Sequence, residues 1–129
     1  MSRVVIDTSA AITLLANRRG IWFLKNSFSL EHQIILSSYL INELERILKT
    51  KLKLSKSKVK SISSFYKSLA VIAEVREIKK LTRDYSDDPI LSLALEQKAD
   101  YLITLDQDFL SLEQTGKLKI IKPEEMIDL

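Results

Sequence analysis

No cysteine occurs in the 129 residues. That excludes disulfides and thiolate-bound zinc, and fits a reducing compartment such as the cytoplasm. His32 is the only histidine, so no pair of imidazoles can divide acid and base roles, and covalent Cys–His catalysis is excluded as well. Gly20 and Gly116 are the only glycines. Neither a glycine-rich phosphate loop nor a dinucleotide fingerprint can be built from them. No apolar run approaches membrane-spanning length, and no signal peptide is recognisable, so a cytoplasmic protein without a membrane partner is expected. The chemistry must rest on carboxylates, hydroxyls, lysine and arginine.

The remaining composition is that of a globular protein, 46% hydrophobic and 29% charged. One domain over residues 1–129 is expected from the length. The formal net charge of +3 is compatible with nucleic acid, but the local distribution of charge matters more.

Strand and helix signals alternate along the chain. Val4 to Ile6 is a β-branched run that ends in Asp7-Thr8-Ser9, and a helix is predicted from Ser9 to Ala16. Asn17-Arg18-Arg19-Gly20 reads as its stop, and Ile21 to Leu30 as a second helix. Gln33 to Leu36 reads as a strand, followed by a helix from Ser37 or Ser38 to Lys51 with Leu40, Leu44, Ile47 and Leu48 on one face. A helix bearing Val59, Ile62, Phe65, Tyr66 and Leu69 leads to a third strand over Ala70 to Val75. Ser86-Asp87-Asp88-Pro89 is a helix-start signal. Ile90 to Lys98 follows as a helix, Tyr101 to Thr104 and Leu118 to Ile121 as strands, and Pro123 to Ile127 as a terminal helical turn. Strands separated by helices imply an α/β fold, a three-layer sandwich with a central parallel sheet and helices on both faces.

On that topology four acids fall at one edge. Asp7 ends the first strand and Asp106 the fourth, while Glu43 and Asp88 sit near the starts of helices that follow strands. Helices after parallel strands begin at the carboxyl edge of the sheet, where ligands bind in such folds. Each acid by itself also reads as a helix cap or a solvated charge. Together, with Asp87 and Asp108 adjacent, they form a cluster whose mutual repulsion calls for a cation. Carboxylates without His or Cys select hard ions, Mg²⁺ or Mn²⁺, and such ions favour hydrolysis of a phosphodiester. Thr8, Ser9 and Thr104 lie beside two of these acids, either to hold water or a ligand or to cap the next helix.

The stretches VVIDTSAAI from Val4, LINELERIL with Glu43, RDYSDDPILSLALE around Asp88, and ADYLITLDQDFL with Asp106 and Asp108 span nearly the whole chain. In this order they resemble a PIN-domain ribonuclease of the kind found as toxins in VapC-type toxin–antitoxin pairs. The resemblance implies that Asp7, Glu43, Asp88 and Asp106 form an acidic tetrad holding Mg²⁺ or Mn²⁺, with Asp108 an additional acid and Asp87 a neighbour. It also implies a metal-dependent endoribonuclease acting on RNA, a small antitoxin as partner, and a homodimer. Leu105 departs from the small residue usual before the last motif aspartate. The alternative is an inactive PIN fold that binds RNA or a protein. An intact set of mutually repelling acids argues against it. A phosphoaspartate receiver would need an acidic pair after strand one, where Ile6 precedes Asp7, and a haloacid-dehalogenase-type phosphatase would need an aspartate at the position of Ser9.

From Arg46 through Ala73 no acidic residue occurs. This basic stretch, to Lys67, reads as a solvated face or as a contact for phosphates. Trp22, Phe23 and Phe28 read as core or as a dimer contact, and His32 as a loop residue.

Overall fold

The computed structural model describes residues 1–80, 88–112 and 114–129. Its sheet has the strand order β3-β2-β1-β4-β6-β5. The strands are β1 (Ser2–Ile6), β2 (His32–Leu36), β3 (Ala70–Ile72), β4 (Tyr101–Ile103), β5 (Gln114–Thr115) and β6 (Leu118–Ile121). All pairings are parallel except that of β5 with β6. β1 lies in the middle, with Val4 opposite Ile34 of β2 on one side and Tyr101 of β4 on the other. Val4, Val5, Ile34, Ile35, Leu102 and Ile103 are fully buried. A parallel strand covered on both faces must be apolar on both, which is why these segments read as continuous rather than alternating runs.

The helices are α1 (Thr8–Leu15), α2 (Arg18–Phe23), α3 (Ser29–Glu31), α4 (Ser38–Thr50), α5 (Lys56–Ser68), α6 (Asp88–Glu96) and α7 (Gln107–Leu110). Strand order runs outward from β1 to β2 and β3, then returns across β1 to β4 and β6. Right-handed crossovers in opposite directions send helices to opposite faces. Thus α1, α4 and α5 pack together, while α6 packs on β1 and β4. The three-layer α/β sandwich read from the sequence is the observed architecture.

Several boundaries differ from the sequence reading. Asn17 does not stop α1 but caps α2, accepting from the Gly20 amide at 2.8 Å. Gly20 lies inside α2 because a Cβ there would stand 1.9 Å from the Leu14 carbonyl oxygen, so only glycine permits the close approach to α1. The segment read as one second helix is α2, then a π-helical turn over Leu24–Phe28, then α3. His32 is not a loop residue; it opens β2, hydrogen-bonds Ser2 through Nδ1, and has its ring centroid 4.5 Å from that of Phe28. β3 ends at Ile72, not Val75. Beyond it the Glu74 carboxylate accepts from the backbone N–H and the hydroxyl of Ser38 at 2.9 and 2.8 Å, tying the chain to the start of α4. The short hairpin of β5 and β6 was not foreseen; Gly116 occupies its turn with φ +61°. The terminal turn is a 3-10 helix over Pro123–Asp128.

Candidate active site

The point where strand order reverses lies between β1 and β4, and the crevice beyond the carboxyl ends of such strands is the ligand site of open α/β sheets. The sheet ladder continues past both strand ends there. The Asp7 N–H donates to the Ile103 carbonyl at 2.9 Å, and the Thr104 N–H to the Ile121 carbonyl at 2.9 Å. Asp7 and Thr104 are therefore fixed side by side by backbone hydrogen bonds, before any side-chain interaction is considered.

The Asp7 side chain is both a cap and something more. Its Oδ1 accepts from the Ala10 N–H and the Ser9 hydroxyl, each at 3.0 Å, which makes it the N-cap of α1. Its Oδ2 accepts from the Thr104 hydroxyl, which itself accepts from the Asp106 N–H at 2.9 Å. A carboxylate offers about four acceptor positions, and three are used here. Asp7 is 4% exposed and Thr104 wholly buried. Burial pushes the Asp7 carboxyl above the ordinary carboxylate range; hydrogen bonds from Thr104, Ala10 and Ser9 oppose the rise, and the nearby charge of Asp106 adds to it.

Asp106 caps α7, accepting from the Asp108 N–H at 2.9 Å. Asp88, the first residue of α6, is 1% exposed, on a helix that packs on β1 and β4. Glu43 is half-buried on α4, one position beyond the exposed Asn42. Asp108 is exposed in the first turn of α7. Asp87 lies outside the described residues. The structure thus brings Asp7 and Asp106 within electrostatic reach of each other. Among the described residues, no three acidic or histidine side chains are grouped to hold a metal ion. Leu105 is 42% exposed and takes no part in the core.

The hydroxyl neighbours divide. Ser9 and Thr104 serve Asp7, whereas the buried Thr8 Oγ1 has no hydrogen-bond partner among the described residues. Tyr66 was legible only as part of an apolar helix face. It is buried, its hydroxyl has no hydrogen-bond partner among the described residues, and burial first, then the charge of Asp7, push its pKa up. Nothing in its helical spacing distinguishes it from a core phenylalanine.

A PIN domain family model matches residues 3–108. The chain belongs to the PIN-domain family. Among solved structures, this PIN domain is similar to VapBC2 from Rickettsia felis, solved bound to a DNA fragment from its promoter, at 16% identity and a TM-score of 0.67, over 93% of this chain and 98% of the other. It is also similar to Mycobacterium tuberculosis VapC20, a sarcin–ricin loop cleaving toxin, at 10% identity and a TM-score of 0.57, over 90% of this chain and 98% of the other. No curated protein matches it.

The donor set of the PIN domain suits a hard divalent cation. At the switch point it offers oxygen only, from Asp7 and Asp106, with one acceptor position of Asp7 unused. A carboxylate whose charge is disfavoured by burial and by a second carboxylate gains from a positive ion. Mg²⁺ is commonly bound through one or two carboxylates plus substrate phosphates, and Asp7 and Asp106 would supply such carboxylates.

Proposed function

We propose that this PIN domain is a divalent-metal-dependent endoribonuclease and the toxin of a toxin–antitoxin pair. The observation that carries this reading is the buried Asp7 carboxylate at the strand-order switch point, held by three donors in the field of Asp106. The Rickettsia and Mycobacterium relatives support the toxin assignment through their shared fold.

Asp7 and Asp106 are the inner ligands of Mg²⁺ or Mn²⁺ in this reading. Glu43 and Asp88 complete the acidic tetrad, and Asp108 and Asp87 stand as auxiliary acids. The bound ion supplies activation of water and neutralisation of charge on the phosphoryl oxygens. Thr104 holds Asp7 in one orientation and links it to the Asp106 backbone. Glu43 or Asp88 would orient the attacking water. The substrate is RNA, the inhibitory partner a small antitoxin protein, the working form a cytoplasmic homodimer.

The test is cleavage of mixed RNAs with Mg²⁺, with Mn²⁺ or with chelator, beside an Asp7→Asn protein purified identically. Asn keeps the size and capping capacity of Asp. Cleavage should need metal and fall at least about 100-fold in the variant, beyond the ~10–100-fold typical of residues that only support a ligand. A folded Asp7→Asn protein that cleaves at the wild-type rate overturns the assignment.

A further inference from the structure

Away from the switch point, a groove of about 540 Å³ lies between α4 and α5. Arg46, Lys49, Lys56 and Lys60 line it, with Val59 in its floor and Glu45 its only acid. Val59 is buried while the four cations are exposed to water. The C-terminal end of α4 and the N-terminal end of α5 both border the groove, so their opposed helix dipoles largely offset and its positive potential comes from the side chains. Of its α4 lining residues, Asn42 is nearest the start of that helix, which follows the carboxyl end of β2 and also carries Glu43.

We infer that the α4–α5 groove is a docking channel for the sugar–phosphate backbone of a single RNA strand, leading to the acidic rim. This rests on the ribonuclease reading and extends it. The acidic rim repels a polyanion, and cations beside it offset that repulsion during approach. The groove's four cations against one carboxylate match a run of phosphates, and none of its side chains is an aromatic platform for stacking bases. Binding there is therefore expected to be insensitive to base sequence. The sequence reading marked the lysine-rich stretch as a whole. The structure separates it: Lys56 lines the groove, whereas Lys51 and Lys53 sit outside it in the α4–α5 connection, where Lys53 adopts φ +52°.

The test uses the full chain in chelator, so that binding is read without cleavage. The probe is a fluorescent, uncleavable 2′-O-methyl oligouridylate titrated at several salt concentrations. The Lys56→Gln/Lys60→Gln protein removes two groove cations, and Lys51→Gln/Lys53→Gln removes the same charge outside it. The groove pair should weaken binding and reduce the log–log salt slope by about 0.7 per lost phosphate contact. The control pair should change the slope much less. Equal effects of the two pairs, or an unchanged slope in the groove pair, overturn the channel. Capture of a fluorescent oligoglutamate that depends on Lys56 and Lys60, with RNA binding unaffected, overturns it in favour of an acidic protein segment. RNA binding through the groove by a protein that never cleaves would sink the enzyme reading and leave the channel standing. Cleavage with an unaltered slope would do the reverse.

Discussion

At the scale of single residues, Asp7 holds opposing demands. It caps α1, yet its charge is disfavoured where it sits. Its folded-state pKa is raised, so the fold binds its proton more tightly than the unfolded chain does. The resulting stability is fully present below the ordinary Asp value of about 4 and is lost as pH rises through the raised one. Near neutral pH, in chelator, ionised Asp7 therefore works against folding. Asp7→Asn removes that charge and keeps the cap, so the chelated variant should melt at or above the wild-type temperature near pH 7, the difference vanishing toward about pH 4. Thermal scans across pH check this, and a variant less stable than wild type at neutral pH would contradict it. Thr104 makes the opposite prediction. Thr104→Val leaves a buried Asp7 oxygen and the Asp106 N–H without their hydroxyl partner, at about 1–3 kcal/mol by the usual cost of an unmet buried group. Thr104→Ser should restore both stability and metal affinity; calorimetry with Mn²⁺ beside denaturant unfolding separates the two effects.

Among secondary elements, the segment after β3 is held to α6 by side chains of the helix. The Glu96 carboxylate accepts from the Arg76 and Glu77 amides at 3.0 and 3.1 Å, and the Ser92 hydroxyl from the Lys79 amide at 3.0 Å. Those two backbone bonds, first Arg76 and then Glu77, draw the Glu96 carboxyl below the ordinary range. A lowered folded pKa gives stability that is present above the unfolded value and lost as pH falls through the folded one. Glu96→Ala should accelerate hydrogen exchange at the Arg76 and Glu77 amides and leave the β1 amides protected; equal protection in both proteins would show that the contact holds nothing. This tie was illegible in the sequence. A lone glutamate near a helix end carries no mark of the distant backbone it will accept from. What was legible were the strands, because a buried parallel strand must be apolar throughout, and their ends near Asp7 and Asp106, because a charge after such a run marks where the apolar ladder stops, even though Asp7 itself stays buried. Asn17–Gly20 misled for a local reason: Asn and Gly stop helices as readily as they permit a tight start or a close helix contact. Topology led to the expectation of four acids at one rim, and the structure shows Asp7 and Asp106 within electrostatic reach of each other. Their separation could not be read, since side-chain reach across that rim depends on packing between elements far apart in the chain.

At the scale of the whole molecule, the apolar surface bears on self-association. Of the aromatic group read as core or contact, Phe28 is 2% exposed and stands 5.7 Å from Phe23, which is half-buried, whereas Trp22 remains 63% exposed on α2. Leu30, on the short α3 that follows, is 69% exposed. Isolated apolar side chains on a surface are ordinary, but an exposed tryptophan is the type of residue that anchors interfaces when it is buried by a partner. In the proposed homodimer Trp22 is such an anchor, and Trp22→Ala should weaken association by about thirty-fold, the equivalent of ~2 kcal/mol. Ile78, 54% exposed next to Lys79, which is tied to α6, provides a control surface whose change to Ser should leave the dimer intact. Light scattering and sedimentation at micromolar protein measure both variants. Salt gives an independent check, because apolar burial is largely insensitive to it whereas backbone docking in the α4–α5 groove is not. Raising salt should therefore release RNA while the dimer persists. A wild-type monomer at micromolar concentration, or a dimer unchanged by Trp22→Ala, would remove α2 as the contact.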